Sequence, residues 1–193
     1  MEYAGVFLLS FLLGSIPFGY VVGRLHGVDV RKHGSGNIGA TNVSRVLGKK
    51  WGAFVLILDS LKGAIPVLTC KLLGLPEELQ IFSGLSAVLG HCFSPFLKFR
   101  GGKGVATGLG AFLIISPQVT LVSLVVFLIV FSLTRYVSLS SITAALSYPV
   151  AFKLIERPSD LSSLLVLVTA GVIVVKHHTN IVRLLKGEEK KYK

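Results

Sequence analysis

Residues 33–48 read His-Gly-Ser-Gly-Asn-Ile-Gly-Ala-Thr-Asn-Val-Ser-Arg-Val-Leu-Gly, a polar, glycine-dense island in an otherwise greasy chain. Gly34, Gly36 and Gly39 stand among Ser35, Asn37, Thr41, Asn42 and Arg45. Glycine lets a backbone turn and approach a ligand closely. Hydroxyls, amides and a guanidinium then satisfy phosphate oxygens. The stretch reads as half of an anion site. A second island, Gly101-Gly102-Lys103-Gly104, and a third, Lys176-His177-His178-Thr179-Asn180, carry the same chemistry. Between them Tyr136 to Thr143 holds Ser138, Ser140 and Ser141.

Each of these signals has a plainer reading. Gly34 to Gly39 matches G-x-G-x-x-G, but that fingerprint needs a strand before it inside a βαβ unit. The same stretch nearly matches a P-loop, with Ala40 where the lysine belongs. Neither fits a segment between apolar spans. The second island alone could be a membrane-edge loop with snorkelling cations. Gly104 and Gly108 make the G-x-x-x-G spacing of close helix packing. Asp59 and Lys62, three apart within an apolar span, read as a self-neutralising ion pair, although intramembrane charges are functional candidates by default. His91 reads as a satisfied buried histidine, and His177 and Asn180 share a face if the last helix continues.

The elements that hold these islands are set by composition. Of 193 residues, 52% are hydrophobic and only 15% charged, against about 25% in soluble domains. The reading is an all-α integral membrane protein, a single membrane-embedded domain over residues 1–193. Apolar runs at 3–23, 51–70 and 79–97 each approach the length needed to cross a hydrocarbon core of about 30 Å. Residues 104–134 would make one helix of about 46 Å, too long for one crossing, and Ser116-Pro117 marks a turn. Two crossings, 104–116 and 118–134, follow, then 137–154 and 161–176. Pro17 is expected to kink the first span. Residues 24–50 are read as a polar connection and the C-terminus as a basic tail. The first apolar stretch lacks a basic n-region and reads as a retained span.

Charge supports this seven-helix count. With seven spans, sixteen of the twenty basic residues fall on one side, which the positive-inside rule assigns to the cytoplasm. The N-terminus is then outside and the C-terminus cytoplasmic. Spans 2, 4 and 6 present their N-termini to the cytoplasmic face, each preceded by a polar segment. Helix N-termini favour anions. The net charge of +11 is scattered between spans, which argues against nucleic acid. Cys70 and Cys92 read as small buried hydrophobes. No metal-ligand spacing, carboxylate pair or Ser-His-Asp arrangement is evident.

The motifs taken together, Gly-Ser-Gly-Asn-Ile-Gly-Ala-Thr-Asn-Val-Ser-Arg (34–45), Gly-Gly-Lys-Gly-Val-Ala-Thr (101–107) and Lys-His-His-Thr-Asn-Ile-Val-Arg-Leu-Leu-Lys-Gly-Glu-Glu (176–189), resemble those of the bacterial acyl-phosphate:glycerol-3-phosphate acyltransferases. The resemblance runs over nearly the whole chain in order, spacing and hydropathy. It implies a seven-span enzyme of the bacterial cytoplasmic (inner) membrane with its site at the cytoplasmic face. The implied reaction moves a fatty acyl group from acyl phosphate to the 1-position of glycerol 3-phosphate, giving lysophosphatidic acid, with no cofactor. Acyl phosphate, glycerol 3-phosphate and membrane lipids are the implied partners, and the soluble acyltransferase that makes acyl phosphate is a candidate one. By position, Ser35, Arg45, His177 and Asn180 match the active-site residues. Gly101, Gly102, Lys103 and Gly104 match the phosphate-binding loop, Ser141 a site serine and Glu189 a structural acid. Gly36, Asn37, Thr41, Asn42 and Thr107 lie in the same motifs and are expected to bind substrate. The competing reading is a transporter of a phosphorylated metabolite, but no convincing internal repeat accompanies it.

Overall fold

The structure, a computed structural model, describes residues 2–192, and among these the regular secondary structure is helical throughout. The chain divides into two compact units, Met1–Ile115 and Ser116–Lys193.

In the first unit the opening apolar run is split into α1 (Glu2–Gly14) and α2 (Phe18–Leu25). Pro17 has no N–H to continue the ladder. The expected kink is thus a full break at Ser15–Pro17. The expected connection over 24–50 is not without structure: it contains α3 (Ala40–Leu47), bounded by Gly39 and by Gly48 at φ +96°. α4 follows (Lys49–Leu72), then α5 (Glu77–Cys92) and α6 (Val105–Ile115). α5 ends five residues short of the sequence-based boundary. Pro95 pushes Ser94 into an extended conformation, and the helix cannot pass it.

Glycines set the helix spacing. A Cβ on Gly14 or Gly90 would strike the carbonyls of Ala87 or Phe11, so α1 and α5 touch backbone to backbone. Gly63 and Gly110 do the same for α4 and α6, against Thr107 and Ser60. Small residues at such crossings are how helices associate without a hydrophobic driving force. Tyr3 meets Phe82, Ser10 bonds Ser83 at 2.9 Å and Gly14 meets Ala87, so contacts advance together along α1 and α5. The same holds for α4 and α6, where Gly63 meets Thr107 and Lys71 donates to the Ile114 carbonyl at 3.1 Å.

The second unit holds α7 (Pro117–Thr134), α8 (Val137–Ile155), α9 (Asp160–Lys176) and α10 (His178–Leu185). The break between α6 and α7 falls at Ser116, as the length argument requires. Ser116 caps α7 by accepting from the Val119 N–H at 3.3 Å, and its hydroxyl donates to Glu156 at 2.5 Å. Ser159 caps α9 in the same way. The C-terminal tail is not uniformly irregular: α10 leaves α9 at a bend of 57°.

The whole is an all-helical integral membrane fold. Among the described residues, Glu2–Leu25, α4, α7 and α8 are long and apolar enough to cross a bilayer, and α9 with α10 makes a fifth if counted as one bent span. α5 and α6, with 16 and 11 residues, fall short of that length.

Candidate functional site

The first polar stretch is a loop wound around one side chain. Asn42, buried at the start of α3, accepts from the Ser35 N–H at 2.7 Å through Oδ1. Its amide donates to the carbonyls of Val30, His33 and Asn37 at 2.9, 3.1 and 2.8 Å. Gly34 and Gly36, at φ +64° and +72°, take the left-handed turns the loop needs. Asn37 accepts from the Gly39 N–H at 2.7 Å and so shapes the entry to α3. Ser35, Thr41 and Arg45 lie half-buried on this loop and helix. Asn42 was expected to touch substrate; its acceptor and both amide hydrogens are engaged by the loop. Ile38 sits in a small apolar cluster with Val22, Val30, Val43, Val55 and Leu97 that seats the loop on α2 and α4.

Asp29 precedes this loop and fixes the short turn at Val30–Lys32. Its carboxylate accepts two side-chain bonds from Arg31 at 2.9 and 2.7 Å, which hold it well below the usual carboxylate range. Arg31 in turn stacks over the Tyr20 ring, 4.4 Å from its centroid.

The second polar stretch is delivered by a strained turn. Lys98 and Phe99 both take positive φ, 54° and 61°, a conformation side chains rarely adopt. The turn is fastened by the Phe99 N–H to the Ser94 carbonyl at 2.9 Å and by the Ser94 hydroxyl to the Ser15 carbonyl at 2.6 Å. Gly101 and Gly102 then dock on the last turn of α5, donating to the carbonyls of Cys92 and His91 at 3.2 and 3.0 Å. Gly104, at φ +81°, turns the chain into α6. Lys103 is half-buried between two buried glycines. Thr107 is fully buried in the first turn of α6, and its hydroxyl has no hydrogen-bond partner among the described residues.

In the second unit His177 stands at the break between α9 and α10, and the two helices do not continue as one. It is buried, and its Nδ1 lies 2.7 Å from the Ile173 carbonyl. A carbonyl only accepts, so Nδ1 is the donor in this contact. Asn180, in the first turn of α10, donates its backbone N–H to the His177 carbonyl at 2.8 Å. Its side-chain amide donates to Glu189 Oε1 at 2.7 Å. That carboxylate also accepts from the Ser138 hydroxyl at 2.8 Å and from Arg183 Nε at 2.8 Å. Burial pushes the Glu189 carboxyl up, but Arg183, Ser138 and Asn180 together outweigh it and hold the group below the usual range. The C-terminal segment is thereby folded back onto α8 and α10. The Tyr192 N–H to the Arg135 carbonyl, at 2.9 Å, adds to this. Ser141 is buried and bonds back to the Val137 carbonyl at 2.8 Å within α8. Sequence reasoning did not assign Ser138 or Arg183; the only signal was their presence in polar segments beside the assigned residues.

A sequence model of the family described as glycerol-3-phosphate acyltransferase matches residues 4–187. Curated glycerol-3-phosphate acyltransferases are similar over almost their full length. That of Trichlorobacter lovleyi is 48% identical over 98% of both chains. That of Geotalea daltonii is 50% identical over 95% of this chain and 94% of its own. That of Aquifex aeolicus is 46% identical over 96% of each. Among solved structures, PlsY (YgiH), described as an integral membrane glycerol 3-phosphate acyltransferase, superposes in its glycerol 3-phosphate form with a TM-score of 0.93 at 44% identity. The match covers 100% of this chain and 96% of that one. Its lysophosphatidic acid form gives 0.91 at 43%, with the same coverage.

Proposed function

Because the chain belongs to the glycerol-3-phosphate acyltransferase family, we propose that it transfers a fatty acyl group from acyl phosphate to the 1-position hydroxyl of glycerol 3-phosphate. The products are lysophosphatidic acid and inorganic phosphate, and the reaction is the first acylation of phospholipid biosynthesis. The hydroxyl oxygen bonds to the acyl carbon, the acyl carbon–phosphate oxygen bond breaks, and its electron pair leaves with phosphate. An acyl phosphate is a mixed anhydride with a good leaving group, so positioning and charge stabilisation carry most of the burden. Positioning alone supplies up to about 7–11 kcal/mol.

The observation that carries this reading is the fixed orientation of His177, buried at the break between α9 and α10 with Nδ1 donating to the Ile173 carbonyl. His177, or a phosphate oxygen of the substrate itself, takes the hydroxyl proton. Asn180, oriented by Glu189, and Ser35 align the phosphates. Arg45 and Lys103 stabilise the charge that develops on the oxygens. Asn37, Thr41, Gly104, Thr107 and Ser141 are the remaining substrate-binding positions; Gly36, Gly101 and Gly102, whose N–H groups are bonded to the His33, Cys92 and His91 carbonyls, act with Asn42 through the shape of the loops. The transfer is direct, without an acyl-serine.

The setting proposed is a seven-span protein of the bacterial inner membrane with its N-terminus outside and its C-terminus and polar loops cytoplasmic. Supporting it, α1 and α5 run in one sense and α4 and α6 in one sense, as alternating crossings require. Acyl phosphate is then received from the soluble enzyme that makes it.

The test is turnover by purified protein in lipid, with acyl phosphate and labelled glycerol 3-phosphate and no added metal, and acyl-CoA in parallel. Lysophosphatidic acid from acyl phosphate only, with kcat reduced about 10²–10⁴-fold in His177→Ala and product lost in Ser35→Ala and Lys103→Ala, is the expected result. Product from acyl-CoA alone, or an acyl-Ser35 species in quenched samples, overturns the donor or the direct transfer respectively.

A further inference from the structure

Beneath the Gly101–Gly104 loop lies a buried charged cluster that the reaction as described does not use. Asp59 and Lys62, both on α4, are 1% and 2% exposed, and their ion pair measures 2.8 Å. The carboxylate oxygen in that pair also lies 3.7 Å from His91 Nδ1 at the end of α5. The far edge of the His91 ring is the floor of the loop: a Cβ on Gly102 would collide with Nε2. The Gly102 N–H in turn donates to the His91 carbonyl at 3.0 Å. His91 thus touches the carboxylate with one edge and the loop with the other.

Lys62 reaches the opposite way. Its ammonium donates to the Ile16 carbonyl at 2.7 Å, in the break between α1 and α2, and sits 5.6 Å from the centre of the Phe18 ring. α2 continues from that break, and its Gly19 packs against the Ile38 carbonyl of the first polar stretch so closely that no Cβ would fit. One ion pair therefore underlies both glycine motifs, through His91 on one side and through the α1–α2 break on the other.

Mere neutrality does not account for this. A span needing only to be filled is served as well by apolar residues, because replacing a buried ion pair with hydrophobic side chains is often neutral or stabilising. Charges inside a membrane span are otherwise expensive. We propose that Asp59, Lys62 and His91 are positioning residues: they set the height and tilt of the Gly101–Gly104 loop, and so the place of the phosphate it holds, without touching substrate. This rests on the phosphate-binding role of that loop proposed above.

The experiment compares purified wild type, the paired Asp59→Leu/Lys62→Met variant, His91→Gln, and all three changes together, each in lipid nanodiscs. Thermal midpoints, dissociation constants for glycerol 3-phosphate and for a non-transferable acyl phosphonate, and kcat against KM are recorded. The expected result for the paired variant is an unchanged or raised midpoint. Binding of at least one of the two phosphate ligands weakens about tenfold, the matching KM rises with it, and kcat stays within about threefold. His91→Gln shows the same shift, and the triple change adds nothing further, as for groups acting through one network. Unchanged dissociation constants for both ligands, or effects that simply add, overturn the proposal. If the paired variant does not fold, His91→Gln decides alone: weakened binding at a normal midpoint supports it, and unchanged binding overturns it. Wild type failing to turn over acyl phosphate while binding glycerol 3-phosphate normally refutes the donor assignment and leaves the binding comparison intact.

Discussion

Asn42 has one acceptor and two amide hydrogens, and the loop before it uses all of them. No aliphatic residue can replace that, and an aspartate would turn three donor contacts into repulsion among oxygens. Glu189 plays the matching part in the second unit, accepting from Asn180, Ser138 and Arg183. Its folded-state pKa lies below the ordinary value, so its contribution is fully present above the ordinary glutamate range near 4.3 and is lost as pH falls through the depressed folded value. Amide-exchange protection of residues 187–192 is therefore expected to hold at neutral pH and to collapse on acidification. Glu189→Gln should remove that step and leave the segment poorly protected throughout, since a glutamine amide would oppose Arg183. Protection in the wild type that stays flat down to strongly acid pH would contradict this. These hubs were only partly legible beforehand: the residue types marked a polar site, but which amides face ligand and which face the backbone depends on loop φ angles that no spacing rule encodes.

At the level of the helices, glycine divides into two kinds. Gly110 faces the Ser60 carbonyl without room for a methyl group, whereas Gly171 on α9 has open space around it. Gly110→Ala is expected to destabilise by about 1–3 kcal/mol through forced separation of α4 and α6. Gly171→Ala should be neutral or stabilising by up to about 1 kcal/mol through helix propensity. Thermal unfolding in one detergent, with both variants side by side, checks the contrast; equal midpoints would show that the crossing is not close-packed. The sequence spacing pointed to Gly104 and Gly108, and the structure adds contacts through Gly63 and Gly110 that no spacing marked. Periodicity marks that a face is small, not which partner it meets. Hydropathy, in contrast, located α4, α7, α8 and α9 to within a few residues, because an uninterrupted apolar run has few other solutions in a bilayer. It overlooked α3 and α10, whose mixed composition resembles a loop and whose helicity comes from docking.

For the whole molecule, the proposed odd number of crossings puts the termini on opposite sides of the membrane. Cys70 and Cys92 are buried, so single cysteines introduced elsewhere report cleanly. Thiols placed at residues 75 and 157 are expected to react with an impermeant reagent added to intact cells. Those at residues 31, 98 and 187 should react only after permeabilisation. Labelling of residue 187 from outside would require an even count and would reverse the tail. The positive-inside argument reached this arrangement from loop charge, and it depended on one decision, the cut at Ser116-Pro117, that the helix boundaries reproduce.

The shortness of α6 has a consequence for how the protein is made. Eleven residues reach only about 16 Å, roughly half of the hydrocarbon thickness. Such a segment cannot be held in lipid by its own length, and its lodging is the groove on α4 that Gly63 opens. During synthesis α4 emerges from the ribosome first, so the berth exists before its occupant arrives. In the proposed seven-span arrangement, the order of elements along the polypeptide thus doubles as an assembly schedule, in which a weakly inserting helix is delivered to a neighbour already in the bilayer.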